Sequence, residues 1–138
     1  PAGHPFGQQP EARFSACISS PVVIPSTALA VHQQIAVLEG TTRATLDKKA
    51  TSNNIQMITS LVLQGVGIGI LTSLDVITEV RAGLLSFTRI SDPVLRPMTL
   101  ALCTATARPP SYAADIVLSE MQTAFGQLAY PAATAKTP

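Results

Sequence analysis

Two histidines, two cysteines and eight carboxylates are the side chains of this 138-residue sequence from which a reaction centre would have to be built. Nucleophilic catalysis needs a base beside the nucleophile. His4 lies in a proline-rich irregular segment, His32 lies within a helical pattern, and the sequence contains no G-x-S-x-G elbow. His32 therefore reads as a structural or surface residue. A metal centre needs three or four convergent ligands, and no such cluster is spelled out. The carboxylates are dispersed, with no pair at a spacing suited to acid/base work. These residues argue for a protein that is not an enzyme and that carries no cofactor and no metal.

A second set of residues suits binding instead. Pro25, Ser26 and Thr27 follow the β-branched run Val22 to Ile24, and Ser52, Asn53 and Asn54 follow the segment 43 to 49. Both are small polar turns between a strand pattern and a helix pattern. Free backbone N–H groups at a helix start, with hydroxyls beside them, suit a carboxylate or similar anion. In open α/β sheets ligands sit outside the carboxyl ends of the strands, where such turns lie. The plainer role for Ser26 and Asn53 is to cap their helices, and capping and ligand contact can coexist. Thr72 and Ser73 read mainly as caps.

The elements that must position these turns follow from periodicity. "PVVIPS" is a short buried strand held short by its prolines. In "STALAVHQQIAVLEG", Ala28, Val31, Ile35 and Leu38 recur at helical spacing, Ser26 or Thr27 can cap the start, and Gly40 can end it. "RATLDKKAT" alternates as a strand with Ala44, Leu46 and Lys48 on one side. "SNNIQMITSLVLQG" is a helix after three capping residues, with Gly65 just past its end. "GIGIL" is a strand. Thr72 and Asp75 open a helix that runs through Ala82 to a stop at Gly83. "LLSFTRI" and "MTLALCTA" are further strands, separated by a proline-containing connection. The helix from Ser111 and a small-residue tail follow. Residues 1 to 20 read as irregular. Alternating strands and helices predict a mostly parallel sheet with helices on both faces.

The stretch "SLVLQGVGIGILTSL" needs its own account, because Gly65, Gly67 and Gly69 stand at every second position in an apolar run. A dinucleotide fingerprint needs a strand before its glycines and a helix after them; here the order is inverted. Ile55 to Leu74 is twenty residues without a charge, long enough on length alone to cross a membrane. Its six Gln, Thr and Ser side chains and its glycines fit a helix, a turn and a buried strand better.

Composition narrows the class further. Apolar residues make up 46 %, enough for a core, while charged residues are only 12 %. So low a charge implies surfaces covered by a partner or by missing parts of the same protein. The net charge is +1, with the basic residues scattered, so these residues do not read as a nucleic-acid interface. Cys17 and Cys103 have no CxxC spacing and read as reduced, buried residues. There is no signal peptide, and a chain that starts at Pro1 reads as a fragment.

The sequence also resembles a known family. "NNIQMITSLVLQGVGIGILTSLDVITEVRAGLLSFTRI" is similar to the second subdomain of the effector-binding domain of LysR-type transcriptional regulators, through Val62, Gly65, Gly67 and Ile68 and then Val80, Gly83 and Leu84. "GHPF" resembles the H-P-L motif at the start of that subdomain, and "PVVIPS" its strand and ligand-facing turn. "MTLALCTATARPPSYAADIVLSEMQTAF" looks like the family's return strand and last helix. The resemblance spans about residues 3 to 125. Thr72 stands where the family usually has a proline, and Thr51 or Ser52 where it often has an acidic residue.

The resemblance implies a periplasmic-binding-protein-like α/β fold, with residues 1–95 as effector subdomain II, 96–128 as the returning strand and helix of subdomain I, and 129–138 as a flexible tail. It implies a cytoplasmic effector-sensing domain that binds a small metabolite between two subdomains, against Pro25–Thr27 and Ser52–Asn54. DNA would be bound only by an N-terminal helix-turn-helix that these residues do not include. With most of subdomain I also missing, the strand at 98–103 and the helix at 111–125 should expose apolar surface, and the chain should self-associate as a dimer or tetramer. The alternatives are a fragment of a periplasmic-type solute-binding protein or other small-ligand-binding α/β protein, and, further off, a membrane-associated segment.

Overall fold

The computed structural model describes residues 1–105, 107 and 109–127. These divide into two compact units, Pro1–Arg96 and a smaller one that begins at Pro97. The expected tail over 129–138 lies outside the described residues.

The first unit is organised around β2 (Pro21–Pro25), whose run of β-branched residues suits a strand buried on both faces. It pairs in parallel with β3 (Asp47–Ser52), from Pro21↔Asp47 to Pro25↔Ser52, with a register shift between Val22 and Val23. On its other edge it pairs in parallel with β4 (Ile68–Gly69), Val22↔Ile68 and Val23↔Gly69. The sheet order is β3–β2–β4. Side chains alternate across it. Val22 and Ile24 pack with Phe14, Cys17, Ile35, Leu38 and Leu46 on one face. Val23 packs with Ile58, Val62, Val76 and Leu85 on the other. Helix α1 (Ala30–Thr42) supplies Ile35 and Leu38, and α2 (Ile55–Leu63) supplies Ile58 and Val62. The chain steps from β2 to β3 in one direction and from β3 back past β2 to β4 in the other. Crossovers of one hand then put α1 and α2 on opposite faces, as the two clusters show.

Several boundaries differ from the sequence reading. Helix α1 starts at Ala30, later than Ser26 or Thr27, and runs through Gly40 to a C-cap at Arg43, whose φ is 52°. A glycine does not have to stop a helix whose apolar face continues to find the core. The strand read over 43–49 begins at Asp47; Ala44 and Leu46 are buried, but ahead of the pairing. Helix α2 ends as Gly65 suggested. Gly65 has φ +78°, its N–H donates to the Val62 carbonyl at 3.0 Å, and the Val66 N–H donates to Leu61 at 3.1 Å. These are the two bonds of a Schellman stop. Gly67 then lets β4 approach β2, since a Cβ there would run into the Pro21 carbonyl, and Gly69 leaves room for Val62. Helix α3 (Ile77–Arg81) is shorter than expected: its N-cap is Val76, with no side-chain cap, and the Thr72–Asp75 pair closes a turn ahead of it. The Thr72 N–H and hydroxyl donate to Asp75 Oδ2 at 2.9 and 2.7 Å, and Gly83 closes the end with φ +72°.

Residues 1 to 20 are not irregular. They form two short 3-10 segments, Pro5–Gln8 and Phe14–Ser19, and strand β1 (Glu11–Ala12). Strand β1 pairs in parallel with β5 (Arg89–Ile90), through Glu11↔Arg89 and Ala12↔Ile90. Only those two residues of "LLSFTRI" are strand, because their partner is two residues long. The Phe14 N–H donates to Asp92 Oδ2 at 2.7 Å, and Phe14 and Cys17 are buried. These contacts span the whole unit in sequence, so no local pattern announces them.

In the second unit, helix α4 (Tyr112–Gly126) forms as expected, with Ser111 Oγ accepting from the Ala114 N–H at 3.3 Å. The strand expected over 98–105 does not form. The second unit holds no strand among its described residues, and an extended segment without a partner leaves its backbone unpaired. The apolar side chains there stand open, as anticipated: Met98, Leu100 and Leu102 are exposed, as are Ile116, Val117, Met121 and Phe125 on α4. Cys103 is exposed, so only Cys17 is the buried thiol that both cysteines were read to be.

Candidate ligand site at the carboxyl edge of the sheet

Parallel pairing of β2 with β3 ends at Pro25↔Ser52, and the Ser26 N–H extends the ladder by donating to the Ser52 carbonyl at 2.8 Å. The six residues Pro25, Ser26, Thr27, Ser52, Asn53 and Asn54 therefore meet at one edge of the sheet. Each triplet leads from a strand toward a helix.

The two turns are built differently. In the first, Pro25 is buried, Ser26 half-buried and Thr27 exposed. The Leu29 N–H donates to the Ser26 carbonyl at 3.0 Å, which closes a turn before the helix starts. The N-cap of α1 is Leu29, with no side-chain cap. Ser26 and Thr27 thus do not cap the helix, and their hydroxyls are not spent on it. In the second turn the capping residue is Asn54, not Asn53: Asn54 Oδ1 accepts from the Met57 N–H at 3.1 Å. Ser52 Oγ accepts from the Asn54 N–H at 3.0 Å, and Asn53 stands exposed between them. After β4, on the other side of β2, Thr72 is committed to Asp75. It closes a turn there and does not cap α3, whose N-cap is Val76.

None of the six residues carries a charge. An anion at this edge would be met by helix-start N–H groups and hydroxyls, whose partial charges favour it. His32 is tied to Pro25 in a way the sequence did not suggest. From the first turn of α1, its Nδ1–H donates to the Pro25 carbonyl at 2.9 Å. Its separation of seven residues from Pro25 gave no signal, because the turn between them had to be known first.

Groups with shifted titration lie elsewhere. Burial, with Asp92 adding to it, pushes the Cys17 thiol up to about 11, which makes it a poor nucleophile. Burial, with the chain's terminal ammonium adding to it, lowers His4, whose Nδ1 accepts from the Phe6 N–H at 3.3 Å. Both histidines thus bond to backbone groups. Among the described residues no group of three or more His, Cys, Asp or Glu could hold a metal ion. No helix among them is long and apolar enough to cross a membrane.

Comparison with family models gives a match to the LysR substrate binding domain over residues 1–126. Comparison with curated proteins and with solved structures gives no match. The matched family has a periplasmic-binding-protein-like fold, in keeping with the parallel β3–β2–β4 sheet covered by helices on both faces. The chain belongs to the LysR substrate-binding domain family.

Proposed function

We propose that this chain is the effector-sensing domain of a LysR-type DNA-binding transcriptional regulator. It holds a small metabolite, a carboxylate or similar anion, against Pro25–Thr27 and Ser52–Asn54. The observation that carries this reading is the pairing of Pro25 with Ser52, which brings both polar turns to the carboxyl edge of one sheet. Ligands of open α/β sheets sit at such edges. In this reading residues 1–95 are subdomain II, residues 96–128 belong to subdomain I, the protein is cytoplasmic and not an enzyme, and DNA is held by a helix-turn-helix outside these residues. Effector binding then acts by differing in affinity between two quaternary states. The exposed apolar side chains of 98–102 and α4 support self-association.

The test uses the full regulator on its operator DNA. Replacing Ser26 and Thr27 with valine should abolish the response of DNA binding to the cognate metabolite and leave binding without metabolite unchanged. An unaltered response in the variant contradicts the assignment. In this reading these 138 residues form one wall of the cleft, so calorimetry on them should show only weak effector binding; tight binding would contradict that. Sedimentation should show association that grows with concentration, against which a strictly monomeric species would count.

A further inference from the structure

We infer that His32 is a specificity-determining residue of this site, and that its Nε2 accepts a hydrogen bond from a donor group on the ligand. The inference rests on the ligand site proposed above. A carbonyl oxygen can only accept, so the 2.9 Å contact with Pro25 requires His32 Nδ1 to carry the proton. In the neutral ring that fixes the tautomer and leaves Nε2 as a bare acceptor. No buried side-chain nitrogen or oxygen among the described residues lacks a partner. The only hydrogen bond of the His32 side chain to a described residue is the one at Nδ1, so Nε2 reaches solvent. The ring is held at the carbonyl where β2 gives way to the Pro25–Thr27 turn.

The site then offers two complementary features. Backbone N–H groups and the uncommitted Ser26 and Thr27 hydroxyls suit a carboxylate. The fixed Nε2 suits a hydroxyl or ammonium beside it. The ligand class that satisfies both is a small acid with a donor next to the carboxylate, a hydroxy acid or an amino acid. An acid without that donor would leave Nε2 facing an apolar group after losing its water, which is the kind of mismatch that discriminates strongly.

The probes are L-lactate, L-alanine and propionate, which differ only in carrying a hydroxyl, an ammonium or neither beside the carboxylate. They are titrated into this chain at mildly basic pH, while backbone amides and the His32 ring nitrogens are followed by NMR. Without probe, Nε2 should resonate as an unprotonated, pyridine-like nitrogen. Lactate, alanine or both should bind at the turns several-fold more tightly than propionate and shift the Nε2 signal. His32→Asn keeps a donor in the place of Nδ1 and removes Nε2; it should retain propionate binding and lose the preference. His32→Gln, which keeps a polar group in the place of Nε2 and removes the Nδ1 anchor, should weaken all three probes. Equal binding of all three by the unsubstituted chain, or an unchanged preference in His32→Asn, overturns the role of His32 and leaves the site assignment standing. Failure of every probe to move the amides of either turn overturns both.

Discussion

Strand β2 and the segment 98–105 look alike as sequence, each a short apolar run beside proline, and they meet opposite fates. From Val22 to Pro25 every residue of β2 is buried, with β3 on one edge and β4 on the other. Leu100, in the middle of the second run, is 68 % exposed. The helices differ in packing but not in existence. Both α2 and α4 form where periodicity and capping placed them, yet α2 buries Ile58, Thr59 and Val62, whereas α4 buries nothing. A helix closes its hydrogen bonds within its own residues, while a strand needs a neighbour to become one. Every buried apolar residue among the described ones lies between Ala12 and Leu85. Stability therefore resides in the first unit, and the second offers local structure with an uncovered face.

The contrast should be widest in cysteine reactivity. With iodoacetamide under native conditions, exposed Cys103 should be alkylated first. Buried Cys17, with its thiol at about 11, should react only on unfolding. The rates should differ by a factor on the order of a thousand. Comparable rates would mean that Phe14–Ser19 does not hold Cys17 in the core. Core deletions come next. Ile58→Ala should cost about 2–5 kcal/mol in urea unfolding, and Ile116→Ala on α4 less than about 0.5 kcal/mol. A large loss at Ile116 would show that the α4 face is covered in solution.

Glycines sharpen the comparison further. Gly67→Ala sets a methyl group against the Pro21 carbonyl and should destabilise by about 1–3 kcal/mol. Gly126→Ala, at the end of α4 with open space around it, should be neutral or stabilise by up to about 0.5–1 kcal/mol. The smallest difference is expected at the caps. Asn54→Ala and Ser111→Ala should each cost about 1 kcal/mol of helix stability, read as lost amide protection in the first turn. Similar values in the two units would confirm that capping is local; a far larger loss at Asn54 would tie that residue to more than its helix.

What could be read from the sequence follows the same division. The periodicity of "NNIQMITSLVLQG", the stop at Gly65 and the Thr72–Asp75 pair are local features, and each is found in place. The C-terminal end of α1 departs from the local signal because tertiary packing carries the helix past Gly40, and Arg43 takes the left-handed cap. The cap of α2 falls at Asn54 and not at Asn53, since Ser52, Asn53 and Asn54 are all good cap residues and only the backbone selects among them. The strands β1 and β5 pair across 78 residues, counted from Glu11 to Arg89, and no local pattern announces that. For the site, residue types pointed to both turns. Their meeting at one edge depends on the register of β2 with β3, and the anchoring of His32 on Pro25 depends on the turn between them. Neither is written in spacing.

The central claim is that the turns after β2 and β3 form one ligand site. A titration of this chain with propionate, read at each backbone amide by NMR, tests it most directly. The account predicts that amides around Ser26–Thr27 and around Asn53–Met57 shift together and fit one dissociation constant. Shifts that fit separate constants for the two turns, or that fall on 98–105 and α4 instead, would contradict it.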